Sequence, residues 1–390
     1  MIIEGKYDTA VIFASEIEDT AKEQIQHIVD LPISENAHTR IMSDVHAGAN
    51  CVIGYTMKIT KKVVPNLIGP DIGCGVLAVK LEKNIDVNVL DEIIEKIFDA
   101  GYRPSLEYKL PMSFHKVCKM TNQSPEEAVR GLGTLGGGNH YVEVDVDKEG
   151  NQWLCVHTGS RSFGGKIAKH FQNIAKRTNH KKERNDAIAK LKEQYTSYEL
   201  GKKIAELPKI EIANGLEYLT GRDMLEYIFC VEVATAFAHI NRCMIINNIL
   251  HELGGANYTE YISSTHNYIE QKSMILRKGA ISAYEGEKVV IPLNMRDGMI
   301  IGIGKGNEEW NYSAPHGAGR VMSRTQAKEN ISLEDFKRSM EGIHTTCISE
   351  LTIDEAPFAY KAPEAILSQI GPTVEVVEVL KPVWNYKASE

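Results

Sequence analysis

The chain has 390 residues, 43% hydrophobic and 25% charged, with 52 acidic against 44 basic side chains and a formal net charge of −8. That length allows one elaborate domain or two ordinary ones, and the acidic balance argues against a general nucleic-acid binder, which carries a basic surface. No run of 18 apolar residues suggests a membrane span, and seven scattered cysteines with no CxxC pair read as reduced thiols of a cytoplasmic protein.

The opening MIIEGKYDTAVIF sets acids before and inside its apolar run, unlike a signal peptide. The spacing predicts a short amphipathic helix over 15–30, with Ser15 or Asp19 as its cap. Residues 39–57 alternate like a strand around a turn that carries Asp44 and His46. Each could be catalytic, and each also fits an Asx-turn with a surface histidine. Residues 63–81 read as strand, loop, strand, the loop being GPDIGCG at 69–75. There Asp71 and Cys74 lie three apart among three glycines and either reach one small object or belong to a glycine-rich turn with an incidental buried cysteine. A carboxylate with a thiolate suits Mn, Zn or Fe better than Mg or Ca. Residues 86–100 predict a helix with Val87, Leu90, Ile93, Ile94 and Ile97 on one face.

The segment GLGTLGGGNHYVEVDV, 131–146, is too glycine-rich at its start for a helix or strand interior, then alternates as a strand. Its glycines could cradle phosphate, yet they match neither a Walker nor a dinucleotide fingerprint. A short apolar strand follows and ends at His157, with Arg161 in a Gly/Ser turn and a helix from about 165. Between Arg161 and Lys192 ten basic residues face two acids, which is either a solvated helix face or a local phosphate-attracting surface. Residues 185–250 read as helical, with Cys230, His239 and Cys243 as packing residues. Strand-like segments run from 259, His266 in the first of them, and His316 follows between Pro315 and Gly317. Residues 331–370 read as helical and the chain ends in the strand-like VEVVEVLKPVWNYK. One thiolate, one carboxylate and several histidines in glycine-rich loops make a two-metal phosphoryl-transfer or hydrolytic site, with a spare histidine as nucleophile.

Six blocks occur in order: DVHAG, GPDIGCG, GTLGGGNHYVE, HTGSRSFG, THN and PHGAGRVMSR. As a set they closely resemble the RtcB RNA ligases, over nearly the whole chain from Asp44 to Lys387. The resemblance implies a single α+β domain spanning 1–390, with central mixed or antiparallel sheets and flanking helices. It implies a GTP- and Mn²⁺-dependent ligase that joins RNA 3′-phosphate or 2′,3′-cyclic phosphate ends to 5′-hydroxyl ends, in tRNA splicing or RNA repair. An activating protein is left open, and no membrane partner is implied.

By that resemblance Asp71, Cys74 and His140 hold one Mn²⁺, while Cys74, His157 and His266 hold the other. His316 becomes the covalent guanylate carrier. Asn139, His140, Tyr141, Val142, Glu143, His266 and Asn267 match nucleotide-contacting positions. So do Pro292, Leu293, Asn294, Met295, His316, Gly317, Ala318, Gly319 and Lys387, with Glu143 and Lys387 near the guanine. Arg161 and Arg324 match holders of RNA phosphates, and Asp44 matches an acid without a clear role. The segment PLNMRDGM departs from the family's usual PGSM, with Asn294 and Met299 where serines are expected. An asparagine can replace one hydroxyl hydrogen bond and a methionine cannot. The residues alone also admit a cyclic-phosphate phosphodiesterase or other hydrolase with a drifted nucleotide site, or a non-catalytic RNA-binding protein.

Overall fold

Short runs of β-branched residues bounded by glycines build two sheets, in a computed structural model that describes residues 1–98, 109–207 and 215–388. The first sheet has the order Ile2–Glu4, Thr9–Ile12, Arg40–His46, Ile53–Lys58, Ile275–Lys278, Asn267–Glu270. The second has the order Lys288–Asn294, Gly298–Gly304, Val374–Lys387, Tyr141–Val146, Gln152–Thr158, Gly75–Leu81, Tyr258–Thr265. Ala280–Ser282 and Ser313–Pro315 pair separately. Pairing is antiparallel except where Thr9–Ile12 runs parallel to Arg40–His46. The α+β class with mixed and antiparallel sheets is as expected.

Register in the second sheet gathers the chemistry at one end. Gly75 pairs with both Thr158 and Thr265, and Tyr141 pairs with His157 and Lys387. Cys74, His140, His157 and His266 therefore sit at the same end of four adjacent strands, although they are scattered over 193 positions of sequence. Lys387 closes the same edge as the last residue of Val374–Lys387.

The helix Gly221–Glu252 backs this arrangement. Tyr227 and Phe237 pack with Phe163, Ile167 and Phe171 of the helix Arg161–Gln194. Farther along, Ile245, Ile246 and Ile249 pack on Val142, Val144, Leu154 and Val156 of the second sheet. By length and composition the helix would suit a membrane span, but it is buried against protein on two sides. Cys230 lies in this core, as expected of a packing residue.

Several boundaries differ from those the sequence suggests. The first helix is Asp19–Val29, and the segment expected as a helix over 86–100 is a 3₁₀ turn, Val87–Val89, leading into Leu90–Phe98. Its last two residues lie outside those described, as do 208–214 of the expected helical stretch 185–250. The long basic helix starts at Arg161 rather than about 165. Residues 331–370 are mostly turns, with only Leu333–Ser339 and Pro363–Leu367 as α-helix. Pro357 and Pro363 each open a new short element there, because a proline supplies no N–H to extend the preceding helix.

Candidate active site

The GPDIGCG loop lies flat on the helix Gly221–Glu252. Gly73 has φ +74°, and a Cβ there would come within 2.7 Å of the Thr235 Cα, so both conformation and space require glycine. Arg242, fully buried, donates through Nη1 to the carbonyls of Gly73 and Thr158, each at 2.8 Å. Its neighbour Asn241 accepts from the Gly133 N–H and donates to the carbonyls of Thr134 and Gly159. One helix thus pins the three loops that carry the ligand candidates.

Those candidates form two groups that share Cys74. Asp71, Cys74 and His140 offer donor atoms within 4.8 Å of one another, and so do Cys74, His157 and His266. The Nδ1–H of His140 donates to the Leu135 carbonyl at 2.9 Å, and that of His157 to the Asn139 carbonyl at 3.2 Å. Each Nε2 lone pair is then left facing other acceptors. His140 Nε2 lies 3.0 Å from Asp71 Oδ2, and His157 Nε2 lies 3.2 Å from Cys74 Sγ and 3.3 Å from His266 Nε2.

Burial drives the His157 and His266 pKa values well below the usual imidazole range, so both rings are neutral. Burial, followed by the Asp71 charge, pushes the Cys74 thiol well up. Burial also opposes ionisation of Asp71, but the neighbouring side chains of His140, Cys74 and Arg161 outweigh it and hold the carboxyl low. Acceptors converging on acceptors, with a thiol that needs a nearby cation to ionise, are what a divalent metal satisfies. The donor set fits Mn²⁺ and borderline metals.

His316 stands next to this cluster, its ring 4.7 Å from that of His266. One oxygen of Asp44, Oδ2, accepts both the Nδ1–H of His316 at 2.6 Å and its backbone N–H at 3.1 Å. Asp44 is fully buried, and Lys361 Nζ braces its strand by donating to the carbonyls of Ser43 and Val45. With Nδ1 committed, the His316 Nε2 lone pair is free to attack.

A cavity of about 1120 Å³ opens over these groups. Asp71, Cys74, His157, His266 and His316 line it, as do Asn139, Tyr141, Glu143, Asn267, Pro292–Met295, Gly317–Gly319, Arg324 and Lys387. His140 sits behind Asp71 and does not line the cavity. Val142, expected among the nucleotide contacts, turns its side chain into the core because residues alternate along the strand Tyr141–Val146. Arg161 is at the head of its helix with φ +56°, its Nη1 3.3 Å from His140 Nδ1, and it does not line the cavity. Gly136 leaves the space its guanidinium fills.

The two departures from the family pattern separate. Met299 is fully buried, its sulfur 3.5 Å from Cys155 Sγ, so no cavity contact depends on it. Asn294 does line the cavity, but its amide is occupied locally. Its Oδ1 accepts from the N–H groups of Arg296 and Asp297, and its Nδ2 donates to Asp297.

The carboxylates of Asp354 and Glu355 were not anticipated. Glu355 lines the cavity and holds Lys387 Nζ at 2.8 Å, Arg324 Nη2 at 3.2 Å and Arg320 Nη1 at 3.3 Å, and it accepts from the Tyr360 hydroxyl. Asp354 takes Arg324 Nη1 at 2.6 Å. In sequence they look like two acids of a surface turn, and only the fold brings Arg320, Arg324 and Lys387 to them from 30 or more positions away.

The family model described as tRNA-splicing ligase RtcB matches residues 24–107 and 105–388. The chain is 29% identical to the RNA-splicing ligase RtcB of Escherichia coli K12, an alignment covering 94% of each protein. It is 25% identical to the tRNA-splicing ligase RtcB of Aeropyrum pernix over 82% of this chain and 81% of that one. The same degree of identity relates it to the tRNA-splicing ligase RtcB of Archaeoglobus fulgidus, over 91% and 88% of the two chains.

Proposed function

The chain belongs to the RtcB family and is an RNA ligase, and from that premise we propose that it joins RNA 3′-phosphate or 2′,3′-cyclic phosphate ends to 5′-hydroxyl ends through a His316–GMP intermediate. The observation that carries this reading is a histidine held by a buried carboxylate, with a free Nε2, against a cluster of converging metal donors.

A neutral imidazole is a competent nucleophile at pH 7. His316 Nε2 attacks the α-phosphorus of GTP, a nitrogen–phosphorus bond forms, and pyrophosphate leaves with the electrons of the broken bond. The ring becomes cationic as it is guanylated, and the Asp44 carboxylate on Nδ1–H stabilises that charge. Two Mn²⁺ ions, one on Asp71, Cys74 and His140 and one on Cys74, His157 and His266, would supply positive charge to the phosphate oxygens. GMP then passes to the RNA 3′-phosphate, and the 5′-hydroxyl displaces GMP to make the phosphodiester. Glu143 and Lys387 flank the guanine end, where Lys387 Nζ also lies 5.1 Å from the Tyr141 ring centre. Exposed Lys169, Lys176, Arg177, Lys181 and Lys182 on the helix Arg161–Gln194 give RNA a local basic face on an acidic protein.

Incubation with α-³²P-GTP and Mn²⁺, followed by denaturing electrophoresis, tests this reading. Acid-labile label on the wild type and none on His316→Ala is the expected result. No label on folded, metal-loaded wild type would overturn it.

A further inference from the structure

Ring contacts order the cavity from end to end. Lys387 lies over Tyr141, the Tyr141 ring is 5.3 Å from that of His157, His157 is 5.1 Å from His266, and His266 is 4.7 Å from His316. Beyond His316 come Asp44 and, two residues on, His46. In the ligase reading, on which this inference rests, the guanine belongs at the Lys387 end, where Arg320 and Arg324 also gather on Glu355.

The His46 end has a different chemistry. The loop after His46 is fastened to the first helix and its cap. The Ala47 N–H donates to Glu18 Oε1 at 2.6 Å, and the Gln24 amide exchanges hydrogen bonds with the Gly48 carbonyl and N–H. These bonds occupy Gln24. The charged and titratable groups around His46 are Asp44, Glu18, His316 and Lys361, and the ammonium of Lys361 is committed to the Ser43 and Val45 carbonyls. The lining on this side, from Glu18, Gln24 and His46, has acceptors and no free cation, which suits a hydroxyl better than a phosphate.

His46 itself is half-buried in the cavity wall. Its Nδ1–H donates to the Asp44 carbonyl at 2.9 Å, which fixes the tautomer, and among the described residues nothing bonds its Nε2. Burial pulls its pKa down to about 4, so the ring is unprotonated at neutral pH. It is neither a candidate metal ligand nor the nucleophile, and strand joining requires one more group, an acceptor for the proton of the attacking hydroxyl.

We propose that His46 is a catalytic residue of the joining step, taking the proton of the RNA 5′-hydroxyl on Nε2. As the 5′-oxygen attacks the RNA 3′-phosphorus, its proton passes to the Nε2 lone pair of His46 and leaves the O–H electrons on oxygen, the new oxygen–phosphorus bond forms, and GMP leaves with the electrons of the old one. His46 then returns the proton to solvent.

The test separates the steps in the full-length, Mn²⁺-loaded enzyme with His46→Gln. Guanylation of His316 stays within about threefold of wild type, while joining falls about 10²- to 10⁴-fold and RNA carrying a 3′-terminal guanylate accumulates. RNA with a 5′-thiol, which ionises unaided near pH ~8.5, recovers most of the lost rate at that pH. A fall in guanylation as deep as the fall in joining, or failure of the thiol to rescue, would make His46 a structural residue and overturn the proposal. Joining at the wild-type rate would overturn it as well. If wild type takes no label from GTP, the ligase reading itself fails and takes this inference with it.

Discussion

Asp44→Asn isolates the charge behind His316. Both contacts to His316 converge on the single oxygen Oδ2, while Oδ1 is buried with no hydrogen-bond partner among the described residues. An asparagine can set its carbonyl oxygen where Oδ2 stands and its amide where Oδ1 stands, so both bonds and the Nδ1–H tautomer survive and only the negative charge is removed. The charge matters when the ring becomes cationic. At an effective dielectric of 20, opposite charges about 4 Å apart attract by about 4 kcal/mol, and each ~1.4 kcal/mol is tenfold in rate. Allowing for the acceptor that stays, single-turnover labelling by α-³²P-GTP should slow about 10²- to 10³-fold, with little change in the GTP concentration for half-maximal rate. Asp44→Ala, which also frees the ring, should be slower still. Labelling of Asp44→Asn within threefold of wild type, with an unaltered melting curve, would refute the role assigned to the carboxylate.

Cys74→Ser removes the donor shared by both ligand groups, and a hydroxyl does not ionise as a thiol does beside a cation. Metal analysis after dialysis against Mn²⁺ should fall from two ions per chain to about one or fewer, with a smaller rise in melting temperature on adding metal. Met299→Ser leaves a void and an unpaired hydroxyl beside Cys155, so urea unfolding should show a loss of about 2–4 kcal/mol, while the labelling rate per folded enzyme stays the same. Asp145, fully buried two residues after Glu143, has its pKa pushed up by burial to about 7. Its folded pKa lies above the unfolded one, so wild type loses stability as pH rises from about 4 to about 7. Asp145→Asn should therefore melt several degrees higher than wild type at pH 8 and level with it at pH 4, and a pH-independent difference would contradict the shift.

The side chains that converge in the cavity were easier to pick out in the sequence than the residues that support them, for a physical reason. Asp71 and Cys74 are three residues apart on one loop, and His140, His157 and His266 each end or precede a strand whose alternation is readable, so their convergence needs only correct strand pairing. Asp44 contacts His316 across 272 positions, and Arg242 reaches Gly73 across 169, so no local pattern announces either bond. Arg242 in particular sits in a helix whose apolar periodicity reads as plain core. Met299 looked like a lost nucleotide contact from its place in PLNMRDGM, but its side chain packs on Cys155 in the core. The stretch 331–370 is not one helix because Pro357 and Pro363 interrupt it, and the ion pairs of Asp354 and Glu355, which local propensity does not record, tie it to distant elements.

Those ion pairs also resolve how a chain of net charge −8 can take polyanionic partners. Four cations, Arg320, Arg324, Lys328 and Lys387, surround the two carboxylates of Asp354 and Glu355. The cluster is therefore positive on balance, with Glu355 and Lys387 buried and Arg324 and Lys328 exposed, so salt screens its field unevenly. The carboxylates hold Arg320, Arg324 and Lys387 on the cavity wall, so the geometry offered to the proposed nucleotide is set in advance. On the helix Arg161–Gln194 the outer lysines and arginines are solvent-exposed, and their attraction for RNA phosphates declines with ionic strength. In the function proposed above, nucleotide loading would use the cavity cluster and RNA capture the helix, whose basic side chains are the more exposed. Raising salt should weaken the RNA-dependent steps well before it slows guanylation of His316.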